Sequence, residues 1–149
     1  MNVYAVLKQD HKKVKALFES LEKTTGRAAK KRATLFAELN GELASHAEAE
    51  EALFYPRVFK PKETHDMTLE ALEEHKVVKS LLAQLDAEPK DTGEWGAKLK
   101  VLMEMVEHHV EEEETELFKK AQKILSKEEA EAIGGEIRAF KEENALATR

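Results

Sequence analysis

The sequence predicts an all-α fold: an up-down-up-down four-helix bundle followed by one additional C-terminal helix. Three observations carry this. Apolar residues recur in steps of three and four along most of the 149 residues, the spacing of one helix face. Charged residues make up 36% of the chain with only six glycines and three prolines, a balance that favours long amphipathic helices over sheets or disorder. The periodic segments are joined by connections of a few to about ten residues, which place consecutive helices antiparallel.

The first helix carries Val3, Leu7, His11, Val14, Phe18 and Leu21 on one face, and Gly26 marks the break after it. The second carries Phe36, Leu39, Leu43, His46, Glu50 and Phe54, and ends near Pro56 because proline cannot donate the next hydrogen bond. Pro61 lies in the loop that follows, and Thr64 is a suitable cap for the third helix. The third carries Leu72, His75, Val78, Leu82 and Leu85, then Pro89, Asp91 and Gly93 form a loop. The fourth carries Leu99, Leu102, Val106, His109, Glu113 and Leu117. These four helices make one unit over residues 1–125. Residues 126–149 form a fifth helix, opened by a capping box of Ser126 and Glu129 and carrying Ile133, Ile137 and Phe140. Gly134-Gly135 weakens its middle. The sequence leaves open whether it packs on the bundle or on another subunit.

The chain also repeats itself. Asp10-His11-Lys12-Lys13-Val14 is similar to Glu74-His75-Lys76-Val77-Val78, and His46 to Glu51 is similar to His109 to Glu114. The first two helices therefore look like the last two of the bundle. Such a duplicated pair packs about a pseudo-twofold axis, and a site on that axis receives equivalent ligands from both halves.

Four of the six histidines, His11, His46, His75 and His109, lie on the core faces, one per helix. One core histidine is ordinarily just packed or hydrogen-bonded; four in this arrangement need another reason. Two of them begin a His-x-x-x-Glu pattern that ends at Glu50 and Glu113. Residues four apart share a helix face, so each pair can reach one centre. A carboxylate on an apolar face is costly unless paired or ligated. Two at equivalent places call for a shared cation, the simplest set being two histidines per metal with Glu50 and Glu113 bridging. Without a cation, burial and like charge favour the neutral carboxyl forms. Glu111, Glu112 and Glu114 read as a solvated face. His65 and His108 fall off the pattern. Tyr4 lies two turns before His11, either in the core or near the metals.

Further classes are excluded. With no cysteine, disulfides, iron–sulfur clusters and thiol catalysis are absent and any metal has N and O donors. A net charge of -6 disfavours nucleic-acid binding. The first ten residues have no long apolar run, so neither a signal peptide nor a membrane span is expected, and the location expected is cytoplasmic.

At these residues the sequence resembles the hemerythrin-like, or HHE cation-binding, family. The resemblance covers residues 1 to about 125 and rests on Leu7 to His11, His46 through Glu50 to Pro56, Glu74-His75, and His109 through Glu113 to Phe118. It implies a bundle around two iron ions with an oxo or hydroxo bridge, and His11, His46, Glu50, His75, His109 and Glu113 as ligands. Oxygen-carrying hemerythrins have a second histidine one turn from the third-helix histidine, where this chain has Ala71 and Lys79, and an Asp in place of Glu114. These differences point away from simple oxygen carriage. The resemblance implies a protein handling oxygen, hydrogen peroxide or nitric oxide. The missing histidine beside His75 would leave one vacant position on each metal, and two adjacent vacancies favour peroxide disproportionation; a non-catalytic iron- or oxygen-sensing module is the alternative. Ferritin-type storage needs Glu-x-x-His pairs, and none is present.

Overall fold

The structure, a computed structural model, describes residues 1–147. Among these there is no strand, and five helical rods account for the chain. The first is α1, Val3–Glu22, capped by Asn2, whose side chain accepts from the Ala5 amide. A short 3-10 turn, Gly26–Ala28, leads into α2, Ala29–Ala49. This second rod does not stop before Pro56. It widens into a π turn over Glu50–Phe54 and continues as α3, Tyr55–Phe59. The expected end at Pro56 is thus corrected to Phe59. In the widened turn the Tyr55 amide donates to Glu50 O, five residues back, so the rod no longer follows the α ladder that proline interrupts.

The third rod is α4, Lys62–Ala87, and the fourth begins as α5, Gly93–Glu112. The fourth also widens into a π turn, Glu113–Leu117, before α6, Phe118–Ile124. Thr64 does not cap α4, which starts two residues earlier after Pro61. Its buried hydroxyl instead donates to Val58 O at 2.6 Å, taking up a free carbonyl at the end of α3. The fifth rod is α7, Lys127–Ala147, and its capping box forms: the Glu129 amide donates to Ser126 Oγ and the Ser126 amide to Glu129 Oε1.

The topology is up-down-up-down, with α1 packed along α2, α4 along α5, and α7 laid across α1 and α2. Gly134 is the point of closest approach of α7: a Cβ there would lie 2.3 Å from Met1 O. The core divides into two apolar blocks. One joins Val3, Leu7, Phe54 and Phe118 to Ile133 and Ile137 of α7. The other, at the far end, packs Phe18, Leu39, Leu85 and Leu102 around Trp95. Each fully buried side chain of this kind is worth about 1.5–3 kcal/mol. The buried histidines and glutamates form a polar layer between the two blocks. No helix among the described residues is long and apolar enough to cross a membrane.

Candidate metal centre

The six residues singled out in the sequence converge in that layer. Glu50 and Glu113 are 0% and 2% exposed, and His11, His46 and His109 are buried as well. Two three-residue groups have donor atoms mutually close enough to hold a cation: His11, His46 and Glu113, and Glu50, His75 and His109. The imidazole pair in each group stands 4.9 Å apart, centroid to centroid. Glu113 places one oxygen 3.2 Å from His11 Nε2 and the other 3.3 Å from His109 Nε2, so its carboxylate spans the two groups. Glu50 Oε1 lies 2.9 Å from His46 Nε2 and 3.4 Å from His75 Nε2, and spans them from the opposite side.

Each imidazole is held from behind. His46 Nδ1 faces Asp10 at 2.8 Å and His109 Nδ1 faces Glu74 at 2.7 Å. His11 Nδ1 faces Glu114 at 2.6 Å and His75 Nδ1 faces Glu51 at 2.8 Å. A carboxylate only accepts, so each ring donates its Nδ1–H outward and turns Nε2 inward. This arrangement fixes tautomer and ring plane and raises the basicity of the ligating nitrogen. None of the four partners entered the sequence-based set, and Glu114, read there as solvated, is in fact bonded to His11. The signal was present: a carboxylate precedes the histidine in both α1 and α4, and follows the glutamate in both His-x-x-x-Glu motifs. His65 Nδ1 faces Phe59 O and His108 pairs with Glu112 at the surface, so both stand outside the cluster.

Tyr4 is not in the layer. Its ring packs against Phe54 and Phe118, and its buried hydroxyl has no hydrogen-bond partner. Tyr55 is the phenol that enters, because the π turn carries it inward after Glu50. Its hydroxyl donates to Glu113 Oε2 at 2.6 Å and lies 3.2 and 3.4 Å from His75 and His109 Nε2. The repeat partner of Tyr55 is Phe118, which stacks on His11. The six inward residues are therefore matched between the two halves, and this hydroxyl sets one half apart.

The electrostatics of the bare cluster are those of a site short of positive charge. Burial depresses the His46 imidazole, but Glu50 and Asp10 outweigh it and hold its pKa at about 10. Burial likewise opposes protonation of His109, and Glu113 and Glu74 carry it well above the ordinary range. His75 is raised too, by Glu50 and Glu51 against burial and His109. Burial raises the Glu113 carboxyl, yet His109 and His11 hold it well below its ordinary value. The expectation of neutral carboxyl groups is corrected here for Glu113: the imidazoles, not this carboxyl, take the protons. Burial and the nearby Glu113 and Glu50 push the Tyr55 phenol far up, so it stays protonated in the bare cluster.

The donor set fits a cation. His11 Nε2, His46 Nε2, both Glu50 oxygens and Glu113 Oε1 are buried without hydrogen-bond partners. Each such atom costs roughly 1–3 kcal/mol unless something satisfies it, and all point inward. Several approach one another to about 3 Å with no directed hydrogen bond, as donors aimed at a common ion do. A cavity of about 360 Å³ between α2 and α4 opens onto all four imidazoles and runs past Leu43, Val78 and Leu82 to solvent.

Fold and site together define a helical-bundle protein whose histidine–carboxylate clusters can bind metal. The chain belongs to the hemerythrin HHE cation binding domain family, whose match spans residues 2–121. A crystal structure of a hemerythrin HHE cation binding domain-containing protein from Mycobacterium kansasii superposes with a TM-score of 0.84 at 26% identity, covering 96% of this chain and 86% of that one. A protein named DNA nickase from a Nostoc strain is 34% identical over 141 residues, 95% of this chain. The chain spans 39% of that relative's length.

Proposed function

We propose that the chain is a di-iron protein that handles oxygen, hydrogen peroxide or nitric oxide, with peroxide disproportionation the favoured reaction. The observation that supports it most is the pair of three-donor groups sharing two bridging carboxylates. A pair of irons held there would supply one electron each, which suits two-electron chemistry at an O–O bond. Disproportionation is balanced without an outside reductant, two peroxides giving one oxygen and two waters.

The protein's own residues would do the rest. His11 and His46 would hold one ion and His75 and His109 the other, with Glu50 and Glu113 between. Neither group has a third imidazole: Ala71 and Lys79, one turn either side of His75, have no donor suited to the site. Both positions thus keep room for a small ligand, and the apolar cavity gives it a way in while keeping bulk water sparse. Tyr55 holds a proton at its hydroxyl next to Glu113, within reach of a ligand on the His75–His109 side.

The nicking named for the longer Nostoc relative, of whose length the chain spans 39%, is not part of this proposal. The net charge of -6 disfavours non-specific contact with a phosphate backbone. Iron analysis of protein purified without added metal, followed by oxygen-electrode traces with peroxide, tests the proposal. About two irons per chain with oxygen evolution are expected. Two irons with no turnover and a long-lived oxygen adduct would favour the non-catalytic sensing module instead.

A further inference from the structure

The duplication makes the two metal positions look alike; Tyr55 distinguishes them from within, and one further contact distinguishes them from outside. Lys141 of α7 donates to Asp10 Oδ1, while Asp10 Oδ2 accepts from His46 Nδ1. The Lys141 and Asp10 side chains are 20% and 9% exposed, so solvent screens this ammonium only in part. Helix α7 lies beyond the matched family span and has no counterpart in the repeat.

The corresponding carboxylate in the second half, Glu74, has no such partner among the described residues. Its free oxygen faces only the exposed His108 at 3.7 Å, and Glu70 and Glu112 stand beside it. Neither Glu51 nor Glu114 pairs with a lysine or arginine among the described residues. Of the four carboxylates behind the imidazoles, one carries an ammonium and a second sits in a negative neighbourhood.

The consequence follows from how such pairs work. A carboxylate strengthens a ligating imidazole by pulling on its Nδ1 proton. A cation bound to the same carboxylate drains that pull, so His46 is the weaker donor and His109 the stronger. Resting on the metal-binding reading above, we infer that Lys141 is a positioning residue that sets the order of loading. The first cation binds at Glu50, His75 and His109, and the position at His11, His46 and Glu113 fills second. Repulsion between two cations separates two binding steps in any dinuclear site, but it cannot choose which position fills first.

Cobalt(II) titrated into the metal-free full chain reads this directly. Its paramagnetism shifts the Nδ1–H resonances of whichever imidazoles it touches, and calorimetry gives the two affinities. At one equivalent the shifted signals should be those of His75 and His109. Lys141→Met should tighten the second step by about tenfold, the lower end of the range for changes behind a metal ligand, and spread the first equivalent over both positions. Lys141→Arg should restore the wild-type order, which a mere packing role for the lysine stem would not demand. First-equivalent shifts at His11 and His46, or an unchanged loading order in Lys141→Met, would overturn the inference while leaving the metal-binding reading intact. Failure to bind cobalt at all would overturn both.

Discussion

The raised His46 pKa makes a quantitative claim about the metal-free protein. In the unfolded chain this imidazole titrates near 6.5; in the folded, metal-free cluster it titrates at about 10. The folded state therefore holds the proton more tightly. The stabilisation is complete below about pH 6.5 and disappears as pH climbs through the folded value. A fully buried group displaced this far contributes up to about 5 kcal/mol, and more than half of that is gone by about pH 8.5. His75 and His109 shift in the same direction and steepen the loss. For a chain of this size, 1 kcal/mol corresponds to roughly 2–4 °C in Tm, so metal-free Tm should fall by at least about 5 °C between about pH 6 and 8.5. Glu113 titrates below this window, because its pKa is depressed. With an ion held at the imidazole Nε2 atoms the folded state would bind fewer protons than the unfolded chain near pH 6, so the metal-loaded Tm should rise to about pH 7.5 and then level, opposite to the metal-free form. Thermal melts by circular dichroism on both forms, with His46→Ala as a flattening control, decide the matter. A metal-free Tm that is level or rises over this range would refute the charge balance described for the cluster.

Three further outcomes follow from the geometry. His46→Ala or His109→Ala should lower metal content measured by elemental analysis, whereas His65→Ala, bonded only to a backbone carbonyl at the end of α3, should not. Glu51→Gln and Glu114→Gln should each weaken metal affinity by about 10–100-fold, and Glu111→Gln, on the exposed face, should leave it unchanged in a chelator competition. Gly134→Ala should lower the denaturant midpoint by an amount equivalent to about 1–3 kcal/mol, since its Cβ would meet Met1 O at 2.3 Å and the α1–α7 contact must open.

Much of this architecture could be read from spacing alone. Every residue assigned to the core face of the first, second and fourth helices is buried, because helical period and apolar character report the same thing in an antiparallel bundle. The inward set of four histidines and two glutamates was legible for the same reason, being the polar residues that keep the apolar phase. What could not be read depends on contacts between distant segments or on departures from 3.6 residues per turn. Tyr55 follows the apolar Phe54 and looks like one more core aromatic until the π turn brings its hydroxyl to Glu113. Lys141 reaches Asp10 across 131 residues, and no local pattern marks a lysine on an exposed-looking helix face as bound. Thr64 has the chemistry of a cap, yet a free carbonyl at the end of α3 competes for its hydroxyl and wins.

The two π turns also say what kind of constraint shaped these rods. Each begins at the inward glutamate, Glu50 or Glu113, and each closes with an amide donating to that glutamate's own carbonyl. Proline follows only the first; the matching position in the second is Lys119. Proline is therefore not the common cause, and Pro56 is better seen as a residue tolerated where the ladder is already relaxed. The extra residue works as a phase shifter. Upstream of it the rod shows the core a face ending in His and Glu; downstream it shows Phe54 with Tyr55, or Leu117 with Phe118, and then Val58 or Ala121. Removing one residue from either turn, Ala52 for instance, would swing the remaining rod by roughly 100°. In the second rod the Tyr55 hydroxyl would then leave Glu113, and in the fourth Phe118 would leave its stack on His11. The length of each turn is thus as strict a requirement of this site as the identity of its ligands, and a one-residue deletion there should be tolerated far less well than most substitutions in the same segment.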